Sequence, residues 1–525
     1  MSTKLVKESD RENSSLFLCR FIDAFVFSIL CLFPLVFTDK YFNILITKYY
    51  FYISMVIILL VTLVSYAIVK HGQVKKYCSE LKAGEFVKSF TVSDVALLLF
   101  LVVALISTLG SDYVYESFWG NEGRYSGLFL LLLYGSAYFC VTRFGMFRKW
   151  YLDAFLIVSM LVCLFGITDY FQLDILNFKE NMVPEQLFMF TSTLGNINTY
   201  TAFVGMVSAV SAVLYSQEKN RNRLIFYYIC MVISFFAIIM GLSDNAYISL
   251  AALFGLLPLY SFKDKVGVKR YLVTIASFFS VVQCIGWINN AMAGRVFGID
   301  SAFNIIVTYK GLLFIVLALW LLTGTLYFID YKKGKEFKVN GRVLRLIWLA
   351  AVVIIAFVFC YILYDANIAG NAERYSMLSN YVVFDDEWGT HRGYIWRNAM
   401  ECYRDFSPFK KLFGFGPDTF GIVMLGKTRG NIYGEIYDNA HNEYIHYLIT
   451  VGISGLFCYV MFLGAFIVRT VRKGIENPYI MATVFAVSCY AVQAFVNLNL
   501  PIATPIMWML LTLGALGCKK EKHRG

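Results

Sequence analysis

The chain has 525 residues, 59% of them hydrophobic and only 15% charged, with a mean hydropathy of +0.63. Soluble domains are about a quarter charged, so a water-soluble enzyme with one buried core is excluded. The apolar runs are continuous rather than alternating, which excludes an outer-membrane barrel. A net charge of +11 would suit a nucleic-acid binder, and only its placement along the chain removes that reading.

A bilayer-spanning helix needs about 20 apolar residues. Runs of that kind lie at 16–38, 49–69, 94–110, 127–147, 150–171, 199–216, 224–241, 246–262, 271–289, 305–329, 346–363, 445–468, 479–497 and 500–517. They predict an all-α polytopic integral membrane protein of about 14 transmembrane helices, within a range of 12–14. The 48 Phe and 36 Tyr suit interfacial belts. The first run has no small-residue cleavage site near Phe37 and reads as a retained helix.

If the N-terminus is cytoplasmic, alternate connections hold 32 of the 46 basic residues. These are Lys4, Lys7, Arg11 and Arg20; Lys70, Lys75, Lys76, Lys82 and Lys88; Arg143, Arg148 and Lys149; and Lys219, Arg221 and Arg223. The series continues with Lys263, Lys265, Lys269 and Arg270; Lys332, Lys333, Lys335, Lys338, Arg342 and Arg345; Arg469, Arg472 and Lys473; and Lys519, Lys520, Lys522 and Arg524. The opposite short loops hold Lys40, Lys48, Arg124, Lys179 and Arg295. The positive-inside rule then puts both termini in the cytoplasm. The division along the chain is 1–363, transmembrane helices 1–11 with short loops; 364–444, one large, partly helical extracytoplasmic loop; and 445–525, helices 12–14 with a short tail. Of the 12 cysteines most fall inside spans and none forms a CxxC pair, so they read as small hydrophobes.

A connection as long as 364–444 is commonly functional or carries structure of its own. Residues 392–405 place Trp396, Ala399 and Tyr403 on one helical face. Ser407-Pro408 ends that helix, and Gly414-Phe415-Gly416 forms a tight turn. That turn lacks the third Gly and the Lys-Ser/Thr of a nucleotide loop.

Only five histidines occur, and His391, His441 and His446 lie in or beside this loop. His441, where the loop enters the membrane, has the residue type to accept a proton near neutral pH. Asp438 and Glu443 are candidates to orient its ring. The plainer reading is a histidine at a helix N-terminus capped by Asn439 or Asp438. The loop also carries Arg374, Arg392, Arg397, Arg404, Lys410, Lys411, Lys427 and Arg429. Guanidinium holds phosphate bidentately. Against that stand an Arg397–Glu401 surface pair, an Arg392–Trp396 cation–π contact, and headgroup contacts for Lys410-Lys411. Asp385-Asp386-Glu387 is the one candidate cation site, and reads more simply as a solvated loop. Charge inside the spans is sparse: Arg20, Asp23, Asp169 and Lys310 sit near span ends and form no midplane relay.

His441-Asn442, nine residues, then Gly452-Ile453-Ser454-Gly455 resembles the His-Asn-x9-Gly-x-x-Gly signature of the O-antigen ligase and polymerase superfamily. Arg392 through Trp396, Pro408 and Gly414–Gly416 resemble its R-x-x-x-W…P…G-x-G stretch. Gly195-Asn196-Ile197-Asn198 resembles its GN-x-N, and Gly123–Gly127 its R-x-x-G-L. These pieces occur in the family's order over roughly 110–460. One departure is Leu242-Ser243-Asp244-Asn245-Ala246, where many members have a Ser-Arg pair.

The resemblance implies a GT-C-like transferase in the cytoplasmic (inner) membrane of a bacterium, with an extracytoplasmic active site. It would polymerise or ligate undecaprenyl-diphosphate-linked oligosaccharides into a surface polysaccharide such as O-antigen, capsule or cell-wall glycan. It implies an inverting, metal-independent glycosyltransferase with no cofactor, whose partners are the lipid-linked donor, a glycan or lipid acceptor, the bilayer and other polysaccharide-assembly proteins. His441 and Arg392 take the catalytic roles. Arg124, Arg397, Asn196, Asn198 and Asn442 follow as diphosphate- or glycan-binding residues. The alternative is a transporter or flippase of lipid-linked or anionic solutes, for which no pseudo-repeat is visible.

Overall fold

The computed structural model describes residues 16–72, 89–300, 303–375, 378–497 and 499–519. The chain is an all-α polytopic membrane protein. Among the described residues, 11 helices are long and apolar enough to cross a membrane. Three shorter apolar helices, Leu128–Phe144, Asn245–Ser261 and Thr504–Gly517, fall on the other three predicted spans. A helix of 17 residues rises about 25 Å, just short of the ~30 Å hydrocarbon core. Ten of the basic residues assigned to the cytoplasmic side lie outside the described residues: Lys4, Lys7, Arg11, Lys75, Lys76, Lys82, Lys88, Lys520, Lys522 and Arg524.

The elements used below are α1 (Leu16–Leu35), α2 (Ile44–Val69), α3 (Val92–Leu109), α4 (Val114–Trp119), α5 (Leu128–Phe144), α6 (Trp150–Tyr170), α7 (Ile197–Gln217) and α8 (Arg221–Met240). They continue with α9 (Asn245–Ser261), α10 (Lys265–Ala291), α11 (Phe303–Val307), α12 (Leu312–Lys333), α13 (Gly341–Asn367) and α14 (Ser379–Val382). The last are α15 (Trp388–Asp405), α16 (Pro408–Phe413), α17 (Phe420–Thr428), α18 (Glu443–Thr450), α19 (Gly452–Gly474), α20 (Pro478–Gln493) and α21 (Thr504–Gly517). Helix α7 is the axis of the bundle, buried almost throughout and packed against α20, α8 and α9. Its small residues Ala202, Gly205, Ser208, Ala209 and Ala212 allow this close approach. Helix α13 is the reverse: its apolar window has no buried residue, the surface expected of a helix facing lipid.

Two spans differ from their predicted form. Helix α1 loses regular winding at its end, passing through a π turn at Ser28–Leu32 and a 3-10 turn at Phe33–Leu35 around Pro34. The carbonyls of Phe33, Pro34 and Val36 so released accept from Lys48 Nζ at 2.8, 3.0 and 3.0 Å. Lys48, predicted as a loop cation, is thus a fully buried residue of α2 that caps its neighbour. The predicted span 445–468 is two helices, because Gly452 has φ +69 and separates α18 from α19.

The connections 111–127, 171–196 and 368–442 lie at the ends of the helices that share one face. On the opposite face basic residues meet acids: Arg143 and Asp94 at 2.9 Å, Arg148 and Asp23 at 2.8 Å, Lys265 and Asp330 at 2.6 Å. The long loop encloses an apolar cluster of its own: Ile395, Ala399, Phe420, Met424, Tyr437, Ala440 and Ile449. It is therefore a folded cap on the bundle.

Candidate functional site

The cap is organised by α15. Its first residues, Gly389, Thr390 and His391, have left-handed φ of +61, +61 and +65, so the regular helix begins at Arg392, as the periodicity predicts. Ile395 and Ala399 enter the cap's apolar cluster. Trp396 stands beside them, its ring 5.1 Å from that of Trp388. Its Nε1–H donates to the Ala440 carbonyl at 2.8 Å. The cation–π contact expected between Arg392 and Trp396 is not present among the described residues. The tryptophan instead fixes the backbone immediately before His441.

His441 itself has φ +47, an uncommon conformation for a residue with a Cβ. The Asn439 side chain stabilises it by accepting from the His441 N–H at 2.8 Å. Asn442 is the N-cap of α18, its Oδ1 accepting from the Tyr444 and Ile445 N–H groups, both at 3.0 Å. The cap is therefore neither Asn439 nor Asp438. Two left-handed or extended residues in succession turn the His441 ring out of the helix and toward the cap.

The Nδ1 of His441 is buried and has no hydrogen-bond partner. Burial, followed by the positive charges of Arg392 and Arg124, lowers its pKa to about 3, against the opposing pull of Asp438. The ring is thus neutral over the whole physiological range. Neither expected orienting carboxylate holds it. Both Asp438 oxygens are taken by Arg124, at 2.9 Å from Nε and 2.5 Å from the guanidinium end. Glu443 accepts from Tyr459 at 2.7 Å and from Asn499 at 3.2 Å, facing into the bundle. Orientation comes from the backbone, through Trp396, Asn439 and Asn442.

The eight basic residues of the loop separate by their partners. Arg397 forks onto Asp386 at 2.9 and 2.7 Å and also reaches Glu401 at 3.5 Å. Arg374 pairs with Asp365, Arg404 with Asp405, Lys427 with Glu401 and Lys410 with Asp112. Arg429 is exposed, and Lys411 forms no ion pair among the described residues. Arg392 is half-buried and close enough to His441 to depress its basicity. Its guanidinium makes no hydrogen bond or ion pair among the described residues. Burial lowers its pKa, opposed by the charge of Asp244. Asp244 is the residue standing where the resemblance leads one to expect Arg.

Glycine seats the cap on the bundle. Gly414 and Gly416 have φ +78 and +121, and Gly452 has φ +69. The Phe415 and Gly416 N–H groups donate to the Ile449 and Thr450 carbonyls at 3.0 and 2.8 Å. A Cβ on Gly414 would lie 2.3 Å from the Thr450 carbonyl carbon, and one on Gly452 would lie 2.4 Å from the Leu412 carbonyl oxygen. The G-x-G and G-x-x-G stretches are thus the two sides of one backbone contact.

Residues 121–126 form a strap across this contact. Asp418, buried and with φ +61, accepts from the Asn121 and Ser126 N–H groups at 2.7 and 3.0 Å. Burial raises its carboxyl to a pKa of about 7, against those two donors. Asp418 is not among the residues the sequence singles out, and its sole signal there is an Asp after Pro417 in a glycine turn. Arg124, on the same strap, reaches the loop through Asp438.

The two asparagines of the GN-x-N stretch are engaged in structure. Asn196 caps α7, its Oδ1 accepting from the Asn198 N–H at 2.8 Å. Asn198 Oδ1 accepts from Ser243 at 2.7 Å and Asn245 at 3.0 Å, and its carbonyl from Asn497 at 3.0 Å. It joins the starts of α7 and α9 to the turn before α21, next to Asp244. In the acidic triplet, Asp386 is committed to Arg397, and Asp385 accepts from the Glu387 N–H at 3.1 Å.

Residues 296–460 match the family model described as O-Antigen ligase. The matched segment runs from the loop before α11 to the first half of α19. It contains Arg392, Trp396, both glycine stretches and His441. No curated protein matches the chain. By that segment, and by the residues inside it, the chain is similar to the O-antigen ligase family.

Proposed function

We propose that the protein extends or transfers a glycan carried on undecaprenyl diphosphate, at the extracytoplasmic face of the cytoplasmic membrane. The observation that carries this reading is the pairing of a buried neutral imidazole with an uncommitted, half-buried guanidinium. An acceptor hydroxyl attacks the anomeric carbon of the donor sugar. The new C–O bond forms as the bond to the diphosphate oxygen breaks, with inversion. The hydroxyl proton passes to the His441 imidazole, and the charge on the departing diphosphate is held by Arg392. No step requires a metal.

A pKa near 3 makes a weak base in the empty site. Donor binding corrects this. A diphosphate resting on Arg392 cancels one of the two positive charges that depress the ring and adds negative charge beside it. The base thus gains strength when its substrate is present. Arg124, already neutralised by Asp438, takes a positioning role, as do Asn196, Asn198 and Asn442 through the contacts that shape the site. Arg397 is assigned to the surface of the cap.

The test is a reconstituted assay in detergent with labelled lipid-linked repeat units and no energy source. The enzyme lengthens the products, whereas a transporter leaves them unchanged. His441→Ala and Arg392→Ala each abolish long chains while the protein still inserts. Wild-type chain length in both variants would overturn these two roles.

A further inference from the structure

A concavity is bounded by the strap 121–126. It is a cavity of about 650 Å³ between the start of α2, helix α4 and the strap. Tyr50, Tyr115 and Trp119 line it with exposed rings. Tyr125 completes it, held at φ +54 with its ring stacked 4.7 Å from that of Tyr49. Glu116 and Glu122 stand among these rings, and neither forms an ion pair among the described residues. No Lys or Arg lines the cavity.

This lining is selective. Two unpaired carboxylates repel a diphosphate, so the cavity is not a second anion site. A polyprenyl tail would require carboxylates to lose water with nothing in return. A sugar ring satisfies both halves: its C–H face packs on aromatic faces, and its hydroxyls donate to carboxylates. The cavity is also tied to the site, because the strap that bounds it carries Arg124 to Asp438 and Asn121 to Asp418.

We infer that this cavity is a glycan subsite that binds sugar units of a neutral oligosaccharide, remote from the diphosphate. The inference rests on the glycan-transfer reading for its place in the reaction, but its binding is measurable without turnover. The probe is the oligosaccharide released by mild acid from the envelope polysaccharide of the cells that make the protein. Saturation-transfer NMR on the full-length protein in detergent reads its binding, with geranylgeranyl diphosphate as the competing lipid.

The oligosaccharide is expected to bind wild type and His441→Ala equally. Binding falls about tenfold or more in Trp119→Ala, the equivalent of 1.4 kcal/mol, and likewise in Glu122→Gln. Glu122 is exposed, so its conservative variant carries the test even where Trp119→Ala fails to fold. Unchanged oligosaccharide binding in both variants overturns the inference. So does a cavity that gives up geranylgeranyl diphosphate but not oligosaccharide on substitution of Trp119. If His441→Ala retains full activity while Trp119→Ala loses the glycan, the catalytic assignment falls and the subsite stands.

Discussion

Replacing Trp396 by Phe isolates the link between the cap and His441. The substitution keeps an aromatic ring against Trp388 and removes one donor, the indole N–H that reaches the Ala440 carbonyl at 2.8 Å. Ala440 is fully buried, so its carbonyl is left without a partner or must shift to find one. An ordinary hydrogen bond contributes about 1 kcal/mol net, and an orphaned buried acceptor costs about 1–3 kcal/mol. If the segment relaxes instead, that energy appears as displacement of the residue next in sequence, His441. At about 1.4 kcal/mol per tenfold, the expected loss is roughly 5- to 100-fold in turnover. The KM for the lipid-linked donor stays near wild type, because Arg392 lies a full helical turn away on α15. The assay is single-turnover chain extension in detergent across a range of donor concentrations, with thermal unfolding alongside. A Trp396→Phe enzyme with wild-type turnover would refute the claim that backbone anchoring orients the histidine. A rise in KM with turnover intact would refute it too.

Further outcomes follow from the same geometry. The folded pKa of His441 is near 3, below its unfolded value of about 6.5. Proton uptake therefore favours unfolding as pH falls from 6.5 toward 3. In the pH–rate profile the acidic limb of kcat/KM lies well below pH 6, and that of kcat lies higher, because bound diphosphate restores basicity. Arg392→Gln is expected to raise the free-enzyme limb by about one pH unit, read from the residual rate. Gly414→Ala, meeting the Thr450 carbonyl carbon at 2.3 Å and a φ of +78, is expected to detach the cap. Limited proteolysis would show it as new cleavage within 364–442. Arg397→Ala breaks only exposed pairs, so its cost is about 1 kcal/mol or less, with activity retained in the same assay that Arg392→Ala abolishes. Asp244→Asn removes the carboxylate that opposes the deprotonation of Arg392 and would repel an incoming diphosphate. It is expected to lower the donor KM two- to tenfold, and a raised KM would count against the placement of the diphosphate on Arg392.

The helical bundle is legible because the bilayer imposes one length and one composition on every span. The helix 392–405 is legible because a 3.6-residue period is written in Trp396, Ala399 and Tyr403. What escapes a reading of the residues alone is made by contacts between distant segments. Lys48 looks like a loop cation, since nothing local shows that α1 unwinds around Pro34 and leaves three carbonyls for it. The break at Gly452 is hidden because a glycine inside an apolar run has the same hydropathy in a straight helix as in a left-handed turn. Asp418 is 292 residues from Ser126, one of its two donors, and no short pattern joins them. The glycines of 414–416 read correctly as a turn, but their purpose, a backbone surface for α18 and α19, requires the partner.

The basic residues show how structure sharpens a charge argument. Composition leaves eight cations in one loop, all equally able to hold phosphate by residue type. Pairing separates them. A cation already paired with a carboxylate must give up that partner before it can take a diphosphate, which removes much of the gain. Arg374, Arg397, Arg404, Lys410 and Lys427 all carry such a partner. Arg392 does not, and it alone is both half-buried and felt by His441. Burial of an unpaired cation is unfavourable, so the fold holds strain there that an anion would relieve. Asp244 moderates that strain through space without occupying the fork. An Arg at position 244 would raise the positive potential around His441 further. The aspartate keeps the empty site from becoming more costly and leaves the fork of Arg392 open to an anion, the role proposed for it.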